Sequence, residues 1–353
     1  MPSKTNTHSK VVFLTQANSL LGSGHLMRCI ALAQACEKAR IAPVFALDKN
    51  SFIFAKQNPL FDYPVYLMDE QQGSQKSLEK LAQYCNQQTI GYLFIDGYNF
   101  NLEFRQQLFK ALRQYACNCQ LISIDDNADQ AKMFTDWILN PSTDINAIPD
   151  YSKIAPGAKL MAGHHYRLLR KEFSQQQILP LDKRSEIIIT MGGTDPFSYS
   201  VKVLNLLAQL NLTAPVRCIV ANGFEDKTQL IAQIEKLPSN FSYTVAPHNI
   251  AAIFANAKLA ISAAGTAQFE LYAMQTPAIL IILADNQYRN TQNAAQDGWA
   301  KVLDFRQTFD SDKMTRAIQE CLNETTLLHM QSKIQPGSAE GAKNVVNTLL
   351  NGK

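Results

Sequence analysis

Twice in this chain a short apolar run breaks at a glycine turn and resumes in helical spacing. Val11-Val12-Phe13-Leu14-Thr15 leads to Gly22-Ser23-Gly24-His25, after which apolar residues recur at Leu26, Cys29/Ile30, Leu32/Ala33 and Cys36. Ile187–Thr190 leads to Met191-Gly192-Gly193-Thr194-Asp195-Pro196 and then to the helical stretch Tyr199–Leu210. Steps of three and four place apolar residues on one helix face, and a short apolar run bounded by turn residues is a buried strand. A strand, a tight turn and a helix in repeated succession commit the chain to parallel sheets, because parallel strands must be joined by a crossover.

The alternation continues on both sides of each turn. Further strands are expected at Pro43–Leu47, Val65–Leu67, Tyr92–Ile95, Gln120–Ile124 and Trp137–Leu139, and then at Arg217–Ala221, Lys258–Ser262, Ala278–Leu283 and Lys301–Leu303. Helices are expected at Leu26–Ala39, Ser77–Cys85, Asn101–Tyr115, Thr266–Met274 and Tyr288–Asp297. Lys171–Ser185 is Gln-rich, contains Pro180 and has no sustained period, so it reads as a linker. The expected architecture is α/β: two Rossmann-like, doubly wound domains, residues 10–170 and 186–335. A cleft between them would take ligands off the C-terminal strand ends. Residues 336–353 carry Ala342, Val345/Val346 and Leu349/Leu350 in helical spacing, a C-terminal helix expected to pack back on the body.

Composition removes several classes of function. A length of 353 residues suits two domains, and a net charge of +3 without a basic run gives no basis for nucleic-acid binding. No 18-residue apolar stretch occurs, so no membrane span and no stable membrane association are expected. The first apolar run is too short for a signal-peptide core, and a cytoplasmic monomer is expected. Seven cysteines are an odd count in a long chain, and Cys117 and Cys119 lack the second pair a zinc site requires. Buried small hydrophobes are the simpler reading for most of them. No metal or other cofactor is expected.

Candidate chemistry clusters where strands end. The Gly22–His25 turn lets backbone approach a ligand, offers helix N–H groups to an anion, and places a histidine there to move protons; a tight turn with a surface histidine is the competing reading. Gly192, Gly193 and Thr194 suit a diphosphate, or a plain strand-to-helix turn capped by Thr194 and Asp195. In Ser262-Ala263-Ala264-Gly265-Thr266 the last two residues would open a helix, with Glu270 one turn in. A carboxylate there can take both ribose hydroxyls or complement the helix dipole. Asp285, Asn286 and Gln287 follow the most apolar strand; Asn286 is a natural N-cap, and all three suit sugar hydroxyls. Asp96-Gly97-Tyr98 and Ile124-Asp125-Asp126 end two strands, as ligand groups or as turn residues. His164, His165 and Arg167 form a compact, partly basic stretch without further ligands to complete a metal set, and Asp310-Ser311-Asp312 reads as a helix cap.

Taken in order, these motifs resemble the PseG family, hydrolases of UDP-2,4-diacetamido-2,4,6-trideoxy-β-L-altropyranose in pseudaminic acid synthesis. The matching elements are Gly22-Ser23-Gly24-His25 with Met27-Arg28, Asp96-Gly97-Tyr98, Ile124-Asp125-Asp126, and Gly163 to Arg170 followed by Glu172-Phe173. Met191 to Pro196, Gly265-Thr266 with Glu270, and Ala284-Asp285-Asn286-Gln287 complete them. The family is similar to MurG-like glycosyltransferases of the GT-B fold. The resemblance implies a C-terminal domain that holds UDP and an N-terminal domain that faces the sugar. His25 is then the general base for inverting attack of water, with Tyr98 as a second catalytic residue. Asp125 or Asp126 is placed to orient His25. Glu270 would bind ribose, Gly265 and Thr266 the diphosphate, and Asn286 and Gln287 sugar or phosphate. Gly22, Ser23, Gly24, Arg28, Arg167, Gly192, Gly193, Thr194 and Asp285 complete the expected substrate contacts. The expected partner is a UDP-sugar. Ala264 stands where similar proteins carry a glycine, and Ala267 where a hydroxyl residue is common. A transferase that passes a UDP-activated amino sugar to another acceptor is the alternative.

Overall fold

A computed structural model of the chain describes residues 10–18, 23–69, 74–126, 132–141, 150–193, 195, 197–221, 224, 226–337 and 339–351. They form two units, 1–171 with 340–353, and 172–339.

The first unit is built on seven parallel strands: β1 (Lys10–Thr15), β2 (Ala42–Leu47), β3 (Val65–Leu67), β4 (Ile90–Asp96), β5 (Gln120–Ile124), β6 (Trp137–Asn140) and β7 (Lys159–Ala162). Their order is β3-β2-β1-β4-β5-β6-β7. Helices α1 (Gly24–Lys38), α2 (Lys49–Lys56), α3 (Gln75–Gln87) and α4 (Leu102–Tyr115) form crossovers. Asp48, Ser74 and Asn101 start α2, α3 and α4 by accepting a backbone N–H of the first turn. Period two in β1 divides the core. Val11 and Phe13 pack with Leu26, Ile30 and Ala33 of α1, whereas Val12 and Leu14 pack with Leu78 and Leu81 of α3 and with Leu108 and Leu112 of α4. Ala33 apart, each of these buried side chains contributes roughly 1.5–3 kcal/mol.

The second unit opens with a short helix, α5 (Lys171–Gln175), and carries six parallel strands: β8 (Glu186–Thr190), β9 (Val216–Val220), β10 (Phe241–Val245), β11 (Ala257–Ala263), β12 (Ala278–Ile282) and β13 (Ala300–Asp304). Their order is β10-β9-β8-β11-β12-β13. Its other helices are α6 (Tyr199–Gln209), α7 (Lys227–Ile234), α8 (Ile250–Asn256), α9 (Ala267–Ala273), α10 (Asp285–Asp297), α11 (Ser311–Cys321) and α12 (Glu324–Ser332). The last helix, α13 (Gly341–Asn351), belongs to the first unit. Val345, Val346 and Leu349 join the α1 layer there, and the Leu349 carbonyl accepts from Tyr92 Oη at 2.8 Å.

Several local expectations need correction. The stretch 171–185, expected as an interdomain linker, is part of the second unit from residue 172. Phe173 and Leu181 are buried, and Arg184 donates to the carbonyls of Leu179, Met274, Ala257 and Gln275 and to Thr276 Oγ1. Apolar period misses it because a buried guanidinium, not an apolar face, ties it down. Burial pushes Arg184 down to about 10. Strands β7 and β10 were not expected: Lys159 and Leu160 of β7 are exposed, and Ser242 and Thr244 interrupt the apolar run of β10. Six of the seven cysteines are buried, as expected; Cys117 is exposed. Asp310 caps α11 by accepting from Lys313 N.

Candidate functional site

Both sheets share one strand order, third-second-first-fourth-fifth-sixth, with β7 added to the first. In each, the chain reverses direction of winding beside its first strand, between β1 and β4 and between β8 and β11. Crossovers depart to opposite sides there, leaving an open crevice at the C-terminal strand ends where such sheets bind ligands. The turns singled out in the sequence fall at these two positions: Ser23, Gly24 and His25 after β1, Asp96 and Tyr98 at the end of β4, Gly192 and Gly193 after β8, and Gly265 and Thr266 after β11. Gly22 and Thr194 lie outside the described residues.

In the first unit α1 presents His25 and, one turn on, Arg28 on the same face. His25 Nδ1 lies 2.8 Å from Asp96 Oδ1. Arg28 straddles the same carboxylate, Nη2 to Oδ1 at 2.7 Å and Nε to Oδ2 at 3.0 Å, while its Nη1 reaches both oxygens of Asp126 at 2.8 Å. Asp96 is 1% exposed. Burial by itself pushes its carboxyl up, but Arg28 and His25 outweigh burial and hold it below the ordinary carboxylate value. For Arg28, burial opposes the charge, and Asp126 and Asp96 overcome it. An ionised carboxylate only accepts, so the His25 hydrogen facing Asp96 sits on Nδ1. The 3.0 Å approach of Arg28 Nη2 to that nitrogen is therefore two donors converging on one oxygen, not a hydrogen bond between them. In the neutral tautomer that this fixes, the lone pair is on Nε2, which has no hydrogen-bond partner among the described residues. Tyr98, 49% exposed, stands edge-on to the His25 ring with centroids 4.5 Å apart, and its hydroxyl donates to Asp126 Oδ2 at 3.3 Å.

This geometry revises two expectations. The carboxylate that orients His25 is Asp96, not Asp125 or Asp126. Asp126 grips Arg28 instead, and Asp125 accepts from the Tyr151 hydroxyl, which in turn accepts from Asn140 Nδ2 at 2.8 Å. Burial and the nearby Asp125 push the Tyr151 phenol far up, so it stays a donor. Arg28, expected as a substrate contact, directs Nε and both terminal nitrogens at protein carboxylates. Asp96 stood in plain sight at a strand end; its pairing with a residue 71 positions earlier is what sequence spacing does not reveal. Tyr151 and Asn140 left no comparable signal.

Elsewhere the expected residues take varied positions. Arg167 is buried, with its backbone pressed against Gly341 at the start of α13. The rings of His164 and His165 lie with centroids 4.0 Å apart and tilted by 37° in a single 3-10 turn. No group of three metal-ligating side chains occurs among the described residues. In the second unit Gly192 takes a left-handed φ of +82°, which excludes most side chains, and Asp195 caps α6 by accepting from Tyr199 N and Ser200 N at 2.8 Å each. Thr266 is the exposed N-cap of α9 and its side chain makes no capping bond; Gly265 has open space on its side-chain side, and Glu270 lies in the first turn. Asn286 is not the N-cap of α10. That position is Ala284, and the Gln287 side chain reaches back to accept from Leu283 N at 2.8 Å. Asp285 pairs with Arg306, which also holds Asp304.

Two parallel sheets of this order, with alternating helices, are the two Rossmann-like domains of the GT-B fold. MurG of Acinetobacter baumannii superposes with a TM-score of 0.62 at 16% identity, covering 97% of this chain and 99% of that one. The spinosyn forosaminyltransferase SpnP superposes with a TM-score of 0.65 at 14% identity, covering 97% and 98%. At such identities the likeness establishes the fold. Residues 187–349 match the glycosyltransferase family 28 C-terminal domain. The resemblance read from the motifs is also found by whole-sequence comparison. The chain is 23% identical over 294 residues to the UDP-2,4-diacetamido-2,4,6-trideoxy-β-L-altropyranose hydrolase of Campylobacter jejuni, covering 82% of this chain and 97% of that protein.

Proposed function

We propose that this protein is a nucleotide-sugar hydrolase that cleaves UDP-2,4-diacetamido-2,4,6-trideoxy-β-L-altropyranose to UDP and free sugar, with inversion, in pseudaminic acid biosynthesis. The observation that carries this reading is the His25–Asp96 pair at the β1/β4 switch point. Likeness to a hydrolase so named, over most of both chains, supports the substrate.

In this reading His25 Nε2 takes a proton from water as the water oxygen bonds to the anomeric carbon on the face opposite UDP. The carbon–oxygen bond to the diphosphate breaks, and its electron pair leaves with UDP. Diphosphate is a good leaving group, with a last pKa of about 6, so it needs charge stabilisation more than a strong acid. Backbone N–H groups of the turn at Gly192–Gly193 and of the start of α9 at Gly265–Thr266 serve that purpose without a metal. Water is the weak nucleophile, and general-base assistance contributes typically about 10²–10⁴-fold. Tyr98 helps place the water or sugar, Glu270 takes the ribose hydroxyls, and Asn286 and Gln287 complete the nucleotide-sugar contacts.

The decisive experiment gives purified protein the UDP-sugar and water alone. Stoichiometric UDP and free sugar of inverted anomeric configuration are expected by NMR. UDP release only after an acceptor is added would replace this reading with an inverting transferase that uses a UDP-activated amino sugar.

A further inference from the structure

Tyr98 owes its place to a residue that no motif contains. The loop from Asp96 to Phe100 carries both Asp96, bonded to His25, and Tyr98, edge-on to His25. From the first turn of α4 the buried Arg105 side chain turns back under this loop. Its Nε donates to the Phe100 carbonyl at 2.8 Å and its Nη2 to the Gly97 carbonyl at 3.3 Å, so one guanidinium brackets Tyr98 on both sides. Its Nη1 reaches Ser123 Oγ at 3.4 Å, on the strand that ends at Asp125 and Asp126. Gly97 completes the arrangement, because a Cβ there would stand 2.8 Å from the Phe100 ring. A guanidinium is planar with donors in a fixed fork, so bonds to two carbonyls three residues apart hold the loop's shape as well as its position. An ordinary core contact would fill the same volume without this directional grip.

We infer that Arg105 is a positioning residue for the proposed reaction: it acts through Tyr98, fixing that ring and hydroxyl against His25 and Asp126. The activity arm of its test rests on the hydrolase reading; a spectroscopic arm does not. With histidine-selective 13C labelling, the His25 ring signals carry the ring-current shift of Tyr98. In Arg105→Met they are expected to move toward their values in Tyr98→Leu, and in Arg105→Lys to move part of the way. His25 signals unchanged in both Arg105 variants would overturn the inference whatever the activity. If Arg105→Met does not fold, Arg105→Lys alone decides.

The kinetic arm is a double-mutant cycle. Misplacing a reacting group by about 1 Å costs up to roughly 10²-fold, so Arg105→Met is expected to lower kcat by about 10- to 100-fold with KM changed less than about threefold. In a Tyr98→Phe background the same change should cost less than about threefold, because groups acting as a unit are non-additive. Penalties that multiply in full would reduce Arg105 to a structural role. A wild-type protein that releases no UDP from water would sink the hydrolase reading, and the His25 signals would still decide the role of Arg105.

Discussion

His25 Nδ1 and Asp96 Oδ1 are 2.8 Å apart across the junction of the first and fourth strands, with Arg28 bridging the same carboxylate to Asp126. The pair fixes which imidazole nitrogen carries the hydrogen and so which one can accept a proton.

Asp96→Asn tests that relationship with little change of shape. An asparagine can turn its amide N–H toward Nδ1, reversing the tautomer and loading Nε2 with the hydrogen. By the cost of the same change in a Ser-His-Asp triad, kcat for UDP release should fall by about 10³- to 10⁴-fold. UDP affinity measured by calorimetry should stay within about twofold. A variant with near wild-type kcat would mean that Asp96 does not set the base.

His25→Ala removes the base and leaves the second unit intact. It is expected to abolish UDP release while UDP still binds. Wild-type activity should survive dialysis against EDTA, because the charge stabilisation invoked here comes from backbone N–H groups. Loss of turnover on chelation, restored by a divalent cation, would refute that mechanism.

Arg28→Met leaves Asp96 and Asp126 without the guanidinium that bridges them. Breaking a buried ion pair from one side typically costs about 3–5 kcal/mol, so urea unfolding should show a loss of that order. The pH dependence has a definite sign. Native Asp96 is held below its unfolded value of about 3.9. Its contribution is therefore full above about pH 4 and is lost as pH falls through the native value. Without Arg28 only His25 is left to oppose burial, so the native carboxyl rises and acid unfolding should begin at higher pH. An unchanged acid midpoint would show that Arg28 is not what keeps Asp96 ionised.

Gly341→Ala probes the return of the last helix. A Cβ there would stand 2.1 Å from the Arg167 carbonyl oxygen and 2.4 Å from its nitrogen, and backbone cannot swing aside as a long side chain can. Overpacking of this kind costs about 1–3 kcal/mol or more, and thermal unfolding should show a lowered midpoint. Because α13 packs on the α1 layer that carries His25, kcat should fall with stability. A midpoint within experimental error of wild type would contradict the close packing of Gly341 on Arg167.

Local chemistry determined much of this protein by itself. Apolar runs of strand length, glycine turns and three-four spacing in α1, α4, α6 and α13 are properties of short windows, and they dictate parallel strands with helical crossovers. The same windows single out His25, Tyr98, Gly192, Gly265 and Glu270, because strand-end loops are where such residues collect. Strands β7 and β10 escaped, since polar residues interrupt their short apolar runs, and the 171–185 stretch read as a linker because its anchor is the charged Arg184. Tertiary structure alone decided which acid serves which base. Asp96, Asp125 and Asp126 are equivalent in sequence, all at strand ends. Only the strand order, which sets β4 directly beside β1 and β5 one strand further away, gives Asp96 to His25, Asp126 to Arg28 and Asp125 to Tyr151. Hydrogen bonds reach about 3 Å, and that choice between neighbouring strands, about 4.8 Å apart, is one that only the assembled sheet makes.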